Sequence, residues 1–101
     1  MDGFEWDETK RRSVLVERGV DICEAALIFE GPVLIKADLR RDYGEPRFLA
    51  LGMVDDDCYV VVYTPRGPVM RLITAWRGGE DERIQYQKGL AGRTAGHEGS
   101  W

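Results

Sequence analysis

Arginine, lysine and tyrosine carry most of the chemistry open to this chain. In VMRLITAWR, Arg71 and Arg77 bracket an apolar run. Strand alternation predicts Arg71, Ile73, Ala75 and Arg77 on one face, with Met70, Leu72, Thr74 and Trp76 on the other. Six residues of extended chain put about 20 Å between the two arginines, so they would span several phosphates rather than grip one. The plain alternative is a solvated sheet face. Eleven of the fourteen basic residues are arginine, whose planar fork suits phosphate. Residues 58–79 contain Arg66, Arg71 and Arg77 and no acid, on a chain whose net charge is −4. The central strands are therefore expected to present a locally positive face.

Other chemistries fare worse. His97 is the sole histidine and lies in a segment with a tail's composition, which nearly excludes a Ser-His-Asp or Cys-His site. There is no P-loop, and the glycines of RGP and RGGE form no dinucleotide fingerprint. Acids gather as Asp55-Asp56-Asp57 and Glu80-Asp81-Glu82, positions suited to a turn and a helix N-terminus. Cys23 and Cys58 stand alone in apolar contexts without metal-ligand spacing, which predicts two buried free thiols and neither metal nor cofactor.

The elements that must position the basic residues follow from local pattern. After an N-terminal anchor, Asp7 is placed to cap a first helix that ends at Arg18 with Gly19 in a left-handed turn. Asp21 caps a second helix, DICEAALIFE, with Glu24 set for a capping box, and Gly31-Pro32 ends it. Four strand candidates come next: VLIKADL, PRFLALGMV, CYVVVYT and VMRLITAWR. They are separated by the polar loop RRDYGEP, the aspartate turn, and Pro65-Arg66-Gly67-Pro68. EDERIQYQKGL reads as a last helix with Ile84 and Leu90 as its few apolar anchors. That thin face leaves two readings open: packing at the sheet edge, or dependence on a partner. The expected class is α+β: two N-terminal helices, a four-stranded, mainly antiparallel sheet, and a C-terminal helix.

At 101 residues, 44% apolar and 32% charged, the chain suits one globular domain, expected over 1–89, with 90–101 as a flexible tail. The acidic start MDGFEWDETK has no h-region, so no signal peptide is expected and a cytoplasmic location follows. No apolar run is long enough to cross a bilayer.

Taken in order, Phe4-Glu5-Trp6-Asp7, Lys10, Gly19-Val20, Glu24-Ala25-Ala26, Phe29 and Pro32 match a known pattern. So do Gly44-Glu45, Arg47-Phe48, Ala50-Leu51-Gly52, Val60–Thr64 and Arg66-Gly67. Arg71, Ile73, Ala75, Arg77, Glu82-Arg83 and Tyr86 complete it. The chain resembles the BrnT family of bacterial toxins, collinearly over residues 4–86. The resemblance implies a RelE-like fold, metal-independent endoribonuclease activity that inhibits translation, and neutralisation by a ribbon-helix-helix antitoxin of the BrnA type. Promoter DNA would be contacted only indirectly, through the antitoxin. Carried over by position, Lys10, Arg66, Arg77 and Tyr86 are the expected catalytic residues. Arg47, Arg71 and Arg18 are the expected RNA contacts. The chain departs from the family at Val14, Glu17, Arg18 and Trp76, where the family usually has Asn, Lys, His and Arg. A second reading stays open beside the first: a weakened or inactive homologue serving as an antitoxin-binding module or co-repressor.

Overall fold

The computed structural model describes residues 3–91 and the backbone of residues 99 and 100. Strand β1 (Gly3–Trp6) leads into helix α1 (Glu8–Arg18), and α2 (Ile22–Ala25) continues as a 3-10 helix (Ala26–Glu30). Strands β2 (Leu34–Ala37), β3 (Phe48–Val54), β4 (Asp57–Arg66) and β5 (Val69–Arg77) follow, then α3 (Glu80–Ala91) and the two-residue β6 (Gly99–Ser100). The sheet order is β1-β5-β4-β3-β2-β6. Strands β2 to β5 form the expected antiparallel meander.

The caps read at Asp7, Gly19 and Asp21 are realised, whereas the Glu24 side chain makes no hydrogen bond among the described residues, so the expected capping box is not completed. Asp7 accepts from the Thr9 backbone N–H at 2.9 Å, and Gly19 closes α1 at φ 68° with its N–H on the Leu15 carbonyl. Asp21 caps α2 through the Cys23 N–H. Arg11 then forks onto the Asp21 carboxylate at 2.9 and 2.8 Å, lashing α1 to α2. The segment read as one helix, 21–30, is α-helical for one turn only and then tightens to 3-10.

Two features depart from the expected RelE-like layout. The sheet has five strands of four or more residues, not four, and it is mixed, because the N-terminal anchor is itself a strand paired in parallel with β5. Long-range parallel pairing leaves no local turn signal, so the four residues carried too little pattern to be read as a strand. The second departure is a β-bulge. Tyr63 faces Leu72 but Val62 faces Thr74, so Ile73 is an extra residue in β5. The bulge reverses the alternation: Met70, Leu72 and Ala75 enter one core, and Ile73 and Trp76 pack on the other. Arg71 and Arg77 therefore do not share a face.

The sheet separates two apolar layers. On one side α1, α2 and the 3-10 helix pack over Tyr59, Val61, Tyr63, Met70 and Leu72. On the other, α3 packs over β2 and β3 through Tyr86 and Leu90, while Ile84 is exposed. Leu90 and Ala91 close α3; the rest of the expected tail, including His97, lies outside the described residues apart from the β6 backbone. Cys58 is buried and Cys23 half-buried, and burial pushes both thiols up from their ordinary value. Among the described residues no helix is long and apolar enough to cross a membrane.

Gly52 lets the 3-10 helix sit on the sheet, since a Cβ there would stand 2.7 Å from the Ile28 Cβ and 3.2 Å from Val33 Cγ1. Gly52→Ala is expected to lower the unfolding free energy by about 1–3 kcal/mol through overpacking. Urea unfolding checks this, and an unchanged midpoint would refute the close contact.

Candidate nucleic-acid interface

Because α3 covers β2 and β3, the β4–β5 side of its sheet face is left to a cleft of about 370 Å³. Val62, Ile73, Thr74 and Trp76 form its floor. Lys10 and Arg18 of α1 make one wall, and the loop 38–47 supplies Asp38, Arg40, Arg41, Tyr43 and Arg47 as the other.

Each wall is held by identifiable bonds. Strand β1 stops where Trp6 faces Leu72, so beyond that point the outer edge of β5 has no strand partner among the described residues. Arg18, in the last turn of α1, donates to the Ala75 carbonyl on that edge at 3.1 Å and to Thr74 Oγ1 at 3.0 Å. Its guanidinium stands 5.7 Å from the centre of the Trp76 ring. The loop is closed at its neck by the Asp38 N–H donating to the Arg47 carbonyl at 2.8 Å. Buried Thr64 adds a hydroxyl bond to the Pro46 carbonyl at 2.6 Å. Gly44 turns the loop tip at φ 72°, with its N–H on the Asp42 carboxylate.

Inside the loop, Asp38 accepts from Arg40 Nε and Nη2 at 2.8 and 2.7 Å and from the Tyr43 hydroxyl at 3.1 Å. The bond to Arg40 holds the Asp38 carboxyl well below the usual carboxylate range, against the opposing effect of burial. Arg40 lies 5.3 Å from the Trp76 ring centre, and Arg47 lies 4.2 Å from that of Tyr43. Lys10 and Arg41 make no ion pair and no side-chain hydrogen bond among the described residues. Five cations and one carboxylate thus line a cleft with two aromatic rings, on a chain of net charge −4. Such a site concentrates positive potential beside aromatic rings, a combination found where single-stranded nucleic acid binds.

Of the residues expected from sequence, Lys10, Arg18 and Arg47 come together here. Arg66 lies outside but shares the Glu45 carboxylate with Arg47, at 3.3 and 3.1 Å. Arg71 pairs with Glu5 across the β1–β5 junction at 3.7 Å. Arg77 is directed to the opposite face by the bulge, bonded to Asp57 at 3.0 Å and 5.3 Å from the Tyr59 ring centre. Arg66 and Arg77 mark opposite ends of the β4–β5 pair, roughly 23 Å apart along the strand. Tyr86 is buried under α3, its hydroxyl donating to the Pro32 carbonyl at 2.7 Å. The expected catalytic set Lys10, Arg66, Arg77 and Tyr86 is therefore not gathered into one site. Sequence reading missed Arg40, Arg41 and Tyr43, because RRDYGEP looked like ordinary loop polarity, and Asp38, because it fell inside the strand candidate VLIKADL, whereas β2 ends at Ala37. The available signal was three arginines and an aromatic within eight residues, Arg40 to Arg47.

A family model described as "Ribonuclease toxin, BrnT, of type II toxin-antitoxin system" matches residues 6–82. No curated protein matches the chain. The matched span contains every residue that lines the cleft and ends before Tyr86.

Two outcomes are expected here. A carboxylate whose folded pKa is depressed stabilises the fold above its unfolded pKa, and that gain is lost as pH falls below about 4. Asp38→Asn removes this titration, so unfolding free energy should fall less steeply between about pH 4 and 2 than in the wild type. Identical slopes in acid unfolding series would show that Asp38 is not so held. Tyr86→Phe should cost about 1 kcal/mol of stability through the lost bond to Pro32 and leave RNA handling intact. A loss of RNA cleavage without loss of stability would return Tyr86 to the site.

Proposed function

The chain belongs to the BrnT family of ribonuclease toxins of type II toxin–antitoxin systems, and on that premise we propose that it cuts RNA, without a metal, in the cation-lined cleft. The observation that carries this reading is the gathering of five cations around Trp76 and Tyr43 on an otherwise acidic chain. RNA cleavage of this kind needs in-line attack of a 2′-oxygen on the adjacent phosphorus. As the 2′-O–P bond forms the 2′-hydroxyl releases its proton to a water molecule, the P–O5′ bond breaks, a 2′,3′-cyclic phosphate results, and the departing 5′-oxygen takes a proton. Arg18, Arg41 and Arg47 stabilise the charge that builds on the phosphoryl oxygens. Lys10 Nζ, which has no partner among the described residues, donates the proton to the leaving oxygen. The Trp76 and Tyr43 rings receive unstacked bases, so single-stranded segments are the substrate. Arg71 and Arg66 flank the cleft and extend the track for neighbouring phosphates. Arg77 serves the fold through Asp57 and Tyr59.

Family membership implies an antitoxin partner. We read that partner as a small ribbon-helix-helix protein of the BrnA type, through which any promoter DNA is contacted. Inhibition of translation by loss of RNA is the cellular consequence.

Expression of the chain alone is expected to arrest growth, and the purified protein should cut RNA in the presence of EDTA. Lys10→Ala and Arg41→Ala should each weaken binding to a single-stranded RNA and reduce the slope of log affinity against log salt by about 0.7. Arg77→Ala should leave both unchanged. A folded chain that binds RNA but neither cuts it nor slows growth would favour the weakened-homologue reading over the nuclease. No binding at all would remove both the cleft and its assignment.

A further inference from the structure

Asp38 is the lone acid in the cleft wall among the described residues, and counting charges alone makes it a defect in a polyanion site. Its carboxylate has no solvent-exposed surface, whereas the Arg40 side chain it holds is 55% exposed. Four bonds converge on it from within five residues: both arms of the Arg40 fork, the Arg40 backbone N–H at 3.2 Å and the Tyr43 hydroxyl. A buried carboxylate satisfied this fully lies beneath the surface it organises rather than on it. The arginine keeps its outer edge towards the cleft and stands over Trp76.

We infer that Asp38 is a positioning residue for RNA binding, fixing Arg40 and Tyr43 in the orientations in which they meet a phosphate and a base. This rests on the RNA-binding reading of the cleft. An arginine has a large rotamer entropy, and restraining it in the free protein removes that loss from the binding step. The repulsion between Asp38 and RNA is the smaller effect, because the Arg40 fork neutralises the carboxylate at contact distance.

The two effects predict opposite signs, which makes the test decisive. Asp38→Asn removes a negative charge from the cleft. If charge alone mattered, RNA would bind more tightly; if positioning matters, it binds more weakly, by roughly tenfold for one lost oriented guanidinium contact. Arg40→Lys keeps every charge but loses the two-armed bond, and the same roughly tenfold loss is expected. The probe is a single-stranded, fully 2′-O-methylated RNA, which binds without being cut, titrated by fluorescence anisotropy at fixed salt. Near-UV circular dichroism checks each variant's fold. Weakening in both folded variants supports the inference. Wild-type or tighter binding by Asp38→Asn overturns it. If Asp38→Asn does not fold, Arg40→Lys decides alone. A lysine can still neutralise Asp38, so unchanged affinity there would leave Asp38 a merely structural role and overturn the inference. Absence of wild-type binding would instead defeat the RNA reading itself.

Discussion

The insertion of Ile73 between two otherwise regular stretches of β5 controls which side chains reach each side of the sheet. A strand presents alternate residues to opposite faces, and one extra residue inverts everything beyond it. Before the bulge, Met70 and Leu72 supply the helical core; after it, Ala75 takes that role. Trp76 is thereby delivered to the cleft floor, where Arg18 and Arg40 approach its ring. A regular strand would have placed Arg77 there and buried the indole beneath α1 and α2. The indole found in this position is thus part of the cation site rather than of the helical core.

The loop 38–47 is tied down by hydrogen bonds although it has no regular secondary structure. Its neck, its Thr64 tether and its αL glycine restrain the backbone, and Asp38 restrains the side chains. Acids elsewhere on the chain are committed to local structure. Asp7 and Asp21 cap helices, Asp57 pairs with Arg77, and Glu80, Asp81 and Glu82 open α3 where the helix dipole favours them. Acids pinned at those places do not enter the cleft, so a net negative chain keeps a positive pocket.

Features encoded within a few residues were legible. The caps at Asp7, Gly19 and Asp21, the turns before β4 and β5, and the final helix all rest on contacts close in sequence. What was hidden depends on contacts between distant segments. The β1–β5 pairing joins residues about 66 apart in register, and no periodicity within GFEW announces it. The bulge at Ile73 is written in the β4–β5 register, not in the composition of β5. For the site, the arginine-rich character was readable, and of the expected cations Lys10, Arg18 and Arg47 do converge. The roles of Arg77 and Tyr86 inferred from order along the chain met two obstacles, the reversed face and the burial beneath α3.

Arg18 also has a bearing on how the molecule behaves in company. Past Leu72, the outer side of β5 is a row of backbone groups to which a strand from another molecule could add. The guanidinium on the Ala75 carbonyl occupies one of those groups and brings a charge to the margin, with α1 packed alongside. The same side chain thus serves as a guard against sheet-to-sheet association. One side chain in the cleft wall thus also guards the most adhesive margin of the sheet.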